Sequence, residues 1–279
     1  MSRSAQWGAG ILGGLLLAVL LVPALMSSDP LAIGDVLSSR FIPPGGSDGL
    51  GRFHLLGTDR FGRDLFLRMM LAGRVSLAVG VTGSLLASAL GVAVGAFAAW
   101  RGGLVDRIAM GLTDALLAIP RLILLLLCAA LWQPGLTTVV VVLVATGWMG
   151  VARLIRSEVL GIRERPYIEA GRALGVRPWR LVIRHVLPNA MGPAIVATTL
   201  GVGSAILLES GLSFLGLGIQ PPYPSWGNMI AGGRDVIVSA PWVAIAPGLA
   251  LMLTVLGSTL LGDSLRDRLA GAVRNEPVS

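Results

Sequence analysis

The sequence predicts an all-α polytopic membrane protein. Of its 279 residues, 54% are hydrophobic and only 13% are charged, and the mean hydropathy is +0.79. The apolar residues fall in six runs of about 16 to 25 residues, enough for each to cross the hydrocarbon core of a bilayer as a helix. All 22 basic residues are arginine, and they cluster between the apolar runs. The net charge of +7 is therefore a matter of membrane topology, and nucleic acid is not indicated as a partner.

Composition also excludes functions. A Walker A motif requires a lysine on the nucleotide phosphates, and the chain has none, so any ATP must be hydrolysed by another protein. Cys128, the sole cysteine, lies in an apolar run and reads as a small buried hydrophobe. His54 and His185 fall on opposite sides of the membrane, so no metal site is expected.

The first span is residues 8–26, an uncharged run that reads as a retained helix because no convincing signal-peptide cleavage pattern follows it. A polar excursion follows to residue 74. Its last part has Thr58-Asp59 as a helix start, then Arg60, Asp64 and Arg68 at every fourth position opposite Phe61, Leu65, Met69 and Ala72. This spacing predicts an amphipathic helix lying at the interface, with a structural role or a substrate-contacting one. The second span, 75–99, has Gly80, Gly83, Ser84, Ala87, Gly91 and Gly95 along it, which predicts close packing between neighbours.

The third span, 108–132, carries Asp114 and the pair Pro120-Arg121. An ionisable group inside a span points to function. Asp114 is near enough to the cytoplasmic end to snorkel or cap, whereas Arg121 falls near mid-membrane. There it either faces a wet translocation cavity or pairs with a carboxylate or carbonyl of a partner span. The fourth span is 137–152, extensible at either end, and the fifth is 190–208.

Between these two lies an arginine-rich segment centred on residues 163–189. Pro166 suits the first position of a helix, Glu169 falls in its first turn, and Gly175 followed by Pro178 is a stop signal. A helix of about two turns is predicted over residues 167–174. Tyr167, Ala170, Gly171 and Leu174 share one face, apolar and mostly small, while Glu169 and Arg172 point elsewhere. Spacing alone leaves two readings, a loop that fixes topology and a helix that docks on a partner.

After the fifth span, Glu209 opens the run Ser210-Gly211-Leu212-Ser213-Phe214-Leu215-Gly216-Leu217-Gly218, and Pro224-Ser225-Trp226-Gly227 follows. Apolar residues punctuated by glycine and proline at this depth predict a re-entrant or interfacial segment. Glu209 reads either as lining the cavity exit or as a helix-end charge at the headgroups. The sixth span is 239–261. Placing both termini in the cytoplasm puts fourteen arginines inside and seven outside, with Arg121 in a span. That is the expected sign.

Several of these motifs resemble one family. Glu169-Ala170-Gly171, with Gly175 six residues after the glutamate, and Leu187-Pro188 resemble the EAA loop of permease subunits in binding-protein-dependent ABC importers. Leu56-Gly57-Thr58-Asp59, Gly62-Arg63-Asp64, the Ser213 to Gly218 run and Pro224 to Gly227 resemble signatures of the C-type subunit in the dipeptide, oligopeptide and nickel branch. Gly171 stands where a second alanine is usual, and His185 where isoleucine is common.

The resemblance implies the type I ABC importer permease fold in a bacterial inner membrane. It makes the loop a coupling helix, with Tyr167, Glu169, Ala170, Gly171, Ala173, Leu174, Gly175, Leu187 and Pro188 as its coupling residues. Asp114, Arg121 and Glu209 are the candidates for the translocation cavity. The implied organisation is a tail, first span and extracytoplasmic or interfacial segment over 1–74, a permease core over 75–268 with a coupling loop over 153–189, and a C-terminal tail over 269–279.

The implied partners are a second permease, two ATPase subunits that use ATP and magnesium, an extracytoplasmic solute-binding protein and membrane lipid. This chain is expected to bind no cofactor and no metal. The expected cargo is di- or oligopeptide; the alternative is nickel or another small solute, for which the spans offer no His or Cys cluster. A proton-driven secondary transporter would need mid-membrane carboxylates or histidines, scarce here beyond Asp114, and a membrane enzyme would need a convergent catalytic set.

Overall fold

A computed structural model describes residues 3–25 and 36–274. Met26 of the expected first span and residues 275–279 of the expected tail lie outside it. The described residues form a helical bundle organised around one long helix. The first helix, α1 (Arg3–Leu25), runs along the outside of the bundle and is followed by a single turn, α2 (Val36–Ser39).

Residues 40–64 then form a compact cap, where β1 (Gly46–Ser47) pairs antiparallel with β2 (Phe53–His54). Asp48 and Asp59 build the cap by the same device. Each accepts hydrogen bonds from backbone N–H groups two and four residues on, and each pairs with the arginine four residues on, at 2.7 Å for Arg52–Asp48 and 2.7 Å for Arg63–Asp59. Removal from water pushes the pKa of Asp48 up, but the bonds from Arg52 and Leu50 outweigh it and hold the carboxyl down at about 2, below the usual 3.8.

The interfacial helix expected before residue 75 is not a separate element. Asp64 caps α3 (Leu65–Arg101) by accepting from the Leu67 N–H at 2.9 Å, and this helix continues unbroken for 37 residues. The four-residue recurrence of charge over 60–68 belongs instead to the Asp59 turn and the Asp64 cap, and Arg68 is itself buried. The boundary expected at residue 74 falls inside α3, where Arg74 reaches across to the carbonyls of Val19 and Leu20 in α1.

The small residues of α3 are used as predicted. A Cβ on Gly91 would lie 2.6 Å from the Trp148 carbonyl oxygen, and one on Gly95 would collide with the carbonyl of Ala152. The partner is α6 (Leu136–Arg163), whose backbone lies directly against α3.

The third span is broken. After a corner at Gly102 and Gly103, both with positive φ, α4 (Gly103–Leu117) runs to Leu117 and α5 (Arg121–Ala130) restarts after Pro120, bent by 91°. Pro120 cannot donate to the preceding turn, and its ring blocks continuation. The pair is one bent element in place of the straight helix expected over 108–132.

Past α6 come α7 (Pro166–Ala173), α8 (Pro178–Leu181), a wide π turn (Val182–Val186) and α9 (Leu187–Phe214). The expected coupling loop of 153–189 is therefore helical through most of its length. Its first residues belong to α6, and the fifth span is a rod that begins at Pro178. The irregular segment after α9 leads into α10 (Trp226–Gly233), then into α11 (Trp242–Arg274), which also takes in the first residues of the expected tail. Trp226 is fully buried, and its indole N–H donates to the Met69 carbonyl at 3.1 Å. Among the described residues, five helices are long and apolar enough to cross a membrane, or six when the bent pair counts as one span.

Candidate functional site

The helix α7 is built by local rules at both ends and by one side chain in the middle. Pro166 occupies its first turn after Arg165 in extended backbone. At the other end Gly175 takes φ of 74°, the Gly175 N–H donates to the Arg172 carbonyl at 3.0 Å, and the Val176 N–H donates to the Gly171 carbonyl at 3.0 Å. This pair of bonds is a Schellman stop, and it needs glycine because the left-handed turn penalises a Cβ.

Ile168 supplies the anchor. It is fully buried in a cluster with Ala99 of α3, Ile162 of α6, Val186 of the π turn and Ala190 at the start of α9. Gly171 faces Leu181, whose Cδ2 would lie 2.8 Å from an added Cβ. The Arg172 guanidinium lies over the Trp100 ring at 5.0 Å, and Arg163 donates to the Ala99 carbonyl at 2.9 Å. Three elements thus hold α7 from one side.

The opposite side is open. Tyr167 is 48% exposed and Leu174 is 84% exposed, with Glu169, Ala170 and Ala173 exposed beside them. Of the face expected to be shared, Tyr167, Ala170 and Leu174 turn outward, while Gly171 turns toward α8. Ile168, absent from the expected set, is the residue that fixes the orientation. Its signal in the sequence was only that it is the one β-branched residue of a short polar helix.

Leu187 is half-buried against the same cluster, and Pro188 is exposed in the first turn of α9. Pro188 has no N–H to give and its ring crowds the preceding turn; the π turn, in which the Leu187 N–H reaches back to the Val182 carbonyl, widens the helix there without breaking it. Leu181 and Val186 thus connect α7 to one continuous rod.

That rod borders a cavity of about 270 Å³ halfway along the bundle, lined by Ser84 and Ser88 of α3, Gly147 and Gly150 of α6, and Gly201 and Ser204 of α9. Arg121, the first residue of α5, enters it from the bend, and its Nη2 would lie 3.1 Å from a Cβ on Gly147. Asp114 is not there. It pairs with Arg153 at 3.5 Å in a separate cleft between α4 and α6, with both side chains more than half exposed.

Glu209 departs from both expectations. It is fully buried, accepting from Ser76 at 3.0 Å, from Ser213 at 2.7 Å and from Ser210 at 3.4 Å. It is held in the last turns of α9 with no exposed surface, neither on a cavity wall nor free at the headgroups. The Ser76 hydroxyl in turn accepts from the Trp226 N–H at 3.2 Å, and the Ser213 hydroxyl accepts from Ile219 at 3.0 Å. The two glycine- and serine-bearing signatures at and beyond the end of α9 meet around this carboxyl group.

A family model described as the binding-protein-dependent transport system inner membrane component matches residues 91–275. The chain belongs to this family. This inner membrane component is 38% identical over 267 residues to the dipeptide transport system permease protein DppC of Bacillus subtilis, covering 95% of this chain and 82% of that protein. It is also 38% identical over 274 residues to a protein of Brucella abortus provisionally named a peptide transport system permease, covering 98% of this chain and 90% of that one.

In fold it resembles the MetNI methionine ABC transporter in an inward-facing crystal form, with a TM-score of 0.59 and 19% identity over 72% of this chain and 95% of that one. The architecture of this inner membrane component is accordingly the type I ABC importer permease fold, in a multi-pass membrane protein.

Proposed function

We propose that this chain is the C-type permease of a peptide importer. It forms the translocation pathway with a second permease, receives di- or oligopeptides from an extracytoplasmic binding protein, and is driven by two separate ATPase subunits that bind ATP and magnesium. Both termini and α7 lie on the cytoplasmic side. The names of the relatives from Bacillus subtilis and Brucella abortus support the peptide cargo.

The observation that carries the coupling role is the two-sided character of α7. Ile168, Gly171 and Arg172 bind it to α6, the α8 rod and α3, while Tyr167, Ala170 and Leu174 are left for another surface. A short rigid helix of that kind transmits a push as a rigid body. Closure of the ATPase pair moves α7, the α8–α9 rod follows, and the mid-bundle cavity switches its opening from one side of the membrane to the other.

Uptake into proteoliposomes holding the complete system tests this reading, comparing labelled di- and oligopeptides with nickel under ATP. ATP-dependent peptide uptake supports it. Uptake of nickel alone overturns the cargo and keeps the architecture, and uptake without any ATPase overturns the coupling.

A further inference from the structure

Every acidic side chain close to Arg121 along the chain is already committed. On α4, Asp106 holds Arg156 in two hydrogen bonds of 2.6 Å, and Asp114 pairs with Arg153 at 3.5 Å. Among the described residues, no carboxylate or carbonyl pairs with the Arg121 guanidinium. It nevertheless projects into a cavity at the mid-length of α3, α6 and α9, and the absence of a side chain on Gly147 leaves it room. Arg121 is exposed here, and a permanent cation at that depth in a bilayer is costly unless an anion or water meets it.

The rest of the cavity is made for a small polar group. Its walls are mostly glycine, alanine and serine; the Ser84 hydroxyl is spent on the Thr198 carbonyl at 2.8 Å and that of Ser204 reaches the Leu200 carbonyl at 3.4 Å, while Ser88 brings a further hydroxyl. At about 270 Å³ the space is below that of a pocket for a whole drug-sized ligand. It suits the end of a molecule, such as a carboxylate with one small residue. It disfavours a metal cation, which the guanidinium repels.

We infer that Arg121 holds the C-terminal carboxylate of the peptide in transit. This rests on the peptide reading above and adds the chemical group that the permease recognises. A guanidinium matches a carboxylate with two parallel N–H donors, and every linear peptide with an unblocked C-terminus carries that group whatever its side chains. One fixed cation would therefore serve a broad set of sequences.

The test uses the assembled complex of both permeases and both ATPases in lipid nanodiscs, without the binding protein, so that the binding protein's own preference cannot enter. Ligand-observed NMR measures binding of trialanine and of trialanine amide to the unaltered complex and to the Arg121→Gln and Arg121→Lys variants. Trialanine binding should fall about tenfold in Arg121→Gln, the scale of one charge-assisted hydrogen bond, and stay within about twofold in Arg121→Lys. The amide should bind the unaltered complex about as weakly as trialanine binds Arg121→Gln, and the glutamine should not affect it.

Equal weakening of acid and amide in Arg121→Gln would overturn the inference and assign Arg121 to an ion pair with the second permease. No effect on either ligand, or no trialanine binding to the unaltered complex at millimolar concentration, would overturn it too. If the complete system also takes up no peptide, the peptide reading fails with it. Peptide uptake with an indifferent Arg121 removes only this inference.

Discussion

The Ser76 hydroxyl donates to Glu209 at 3.0 Å while accepting from the Trp226 N–H at 3.2 Å. One short side chain of α3 thus joins the end of α9 to the start of α10. Residues 76, 209 and 226 are far apart in the chain, so this knot closes three segments at once.

The knot should dominate the stability of that end of the bundle. Glu209→Ala leaves three serine hydroxyls without their acceptor in a dry site, a loss of about 2 to 4 kcal/mol in the folded state. Glu209→Gln keeps one carbonyl oxygen and, because hydroxyls can rotate, should cost about half of that or less. Thermal unfolding of the purified complex in detergent measures both. Equal midpoints for Glu209→Ala and the unaltered protein would exclude a structural role for the knot.

Much of this chain is legible where local rules govern it. Pro166, Gly175 and Pro178 place α7 almost to the residue, because helix stops depend on backbone conformation and not on neighbours. The burial of Glu209 is not legible in the sequence because its partner Ser76 stands 133 positions away, and no window along the chain contains both. The segment 58–68 misled for a different reason. Asp59 and Asp64 lie five residues apart and each makes its own turn, yet with the arginines between them they imitate a helical charge stripe. The bend of the third span is hidden because its two arms together are apolar enough to read as one span; only the proline marks it.

Contact between α3 and α6 predicts a sharp contrast among glycines. Gly91→Leu drives a side chain into the Trp148 carbonyl and Val151, whose atoms lie 2.6 and 2.7 Å from the Cβ position, and should prevent stable assembly. Gly13→Leu on α1, where an added Cβ meets nothing within 4 Å, should be neutral to within about 0.5 kcal/mol. Size-exclusion profiles of the two detergent-solubilised variants separate the outcomes.

Acid should loosen the cap formed by residues 40–64. The Asp48 carboxyl titrates at about 2 in the fold against 3.8 ordinarily, so its contribution is complete above the ordinary value and is lost as the pH falls through the folded one. Pepsin, active throughout that range, should cut the cap faster at pH 2 than at pH 4. Asp48→Asn should be cut readily at both, with much of the difference removed.

The open face of α7 predicts a division between binding and folding. Leu174→Asp alters a side chain that is 84% exposed and should leave the midpoint of thermal unfolding unchanged while weakening ATPase retention on the permease pair at least about tenfold, or 1.4 kcal/mol. Ile168→Asp places a charge in the cluster that anchors α7 and should lower the midpoint itself. Pull-down of the ATPases beside thermal unfolding distinguishes the two.

The central claim is that α7 transmits the ATPase stroke, and the most direct measurement is ATP-driven peptide uptake by Glu169→Lys and Gly175→Val complexes, with membrane insertion measured in parallel. The first reverses an exposed charge beside the docking face, and the second forces a β-branched residue into a φ of 74°. Uptake should be lost in both while the protein remains inserted and paired with the second permease. Uptake at the unaltered rate in both would contradict the coupling role, and loss of insertion in both would make the segment a folding element instead.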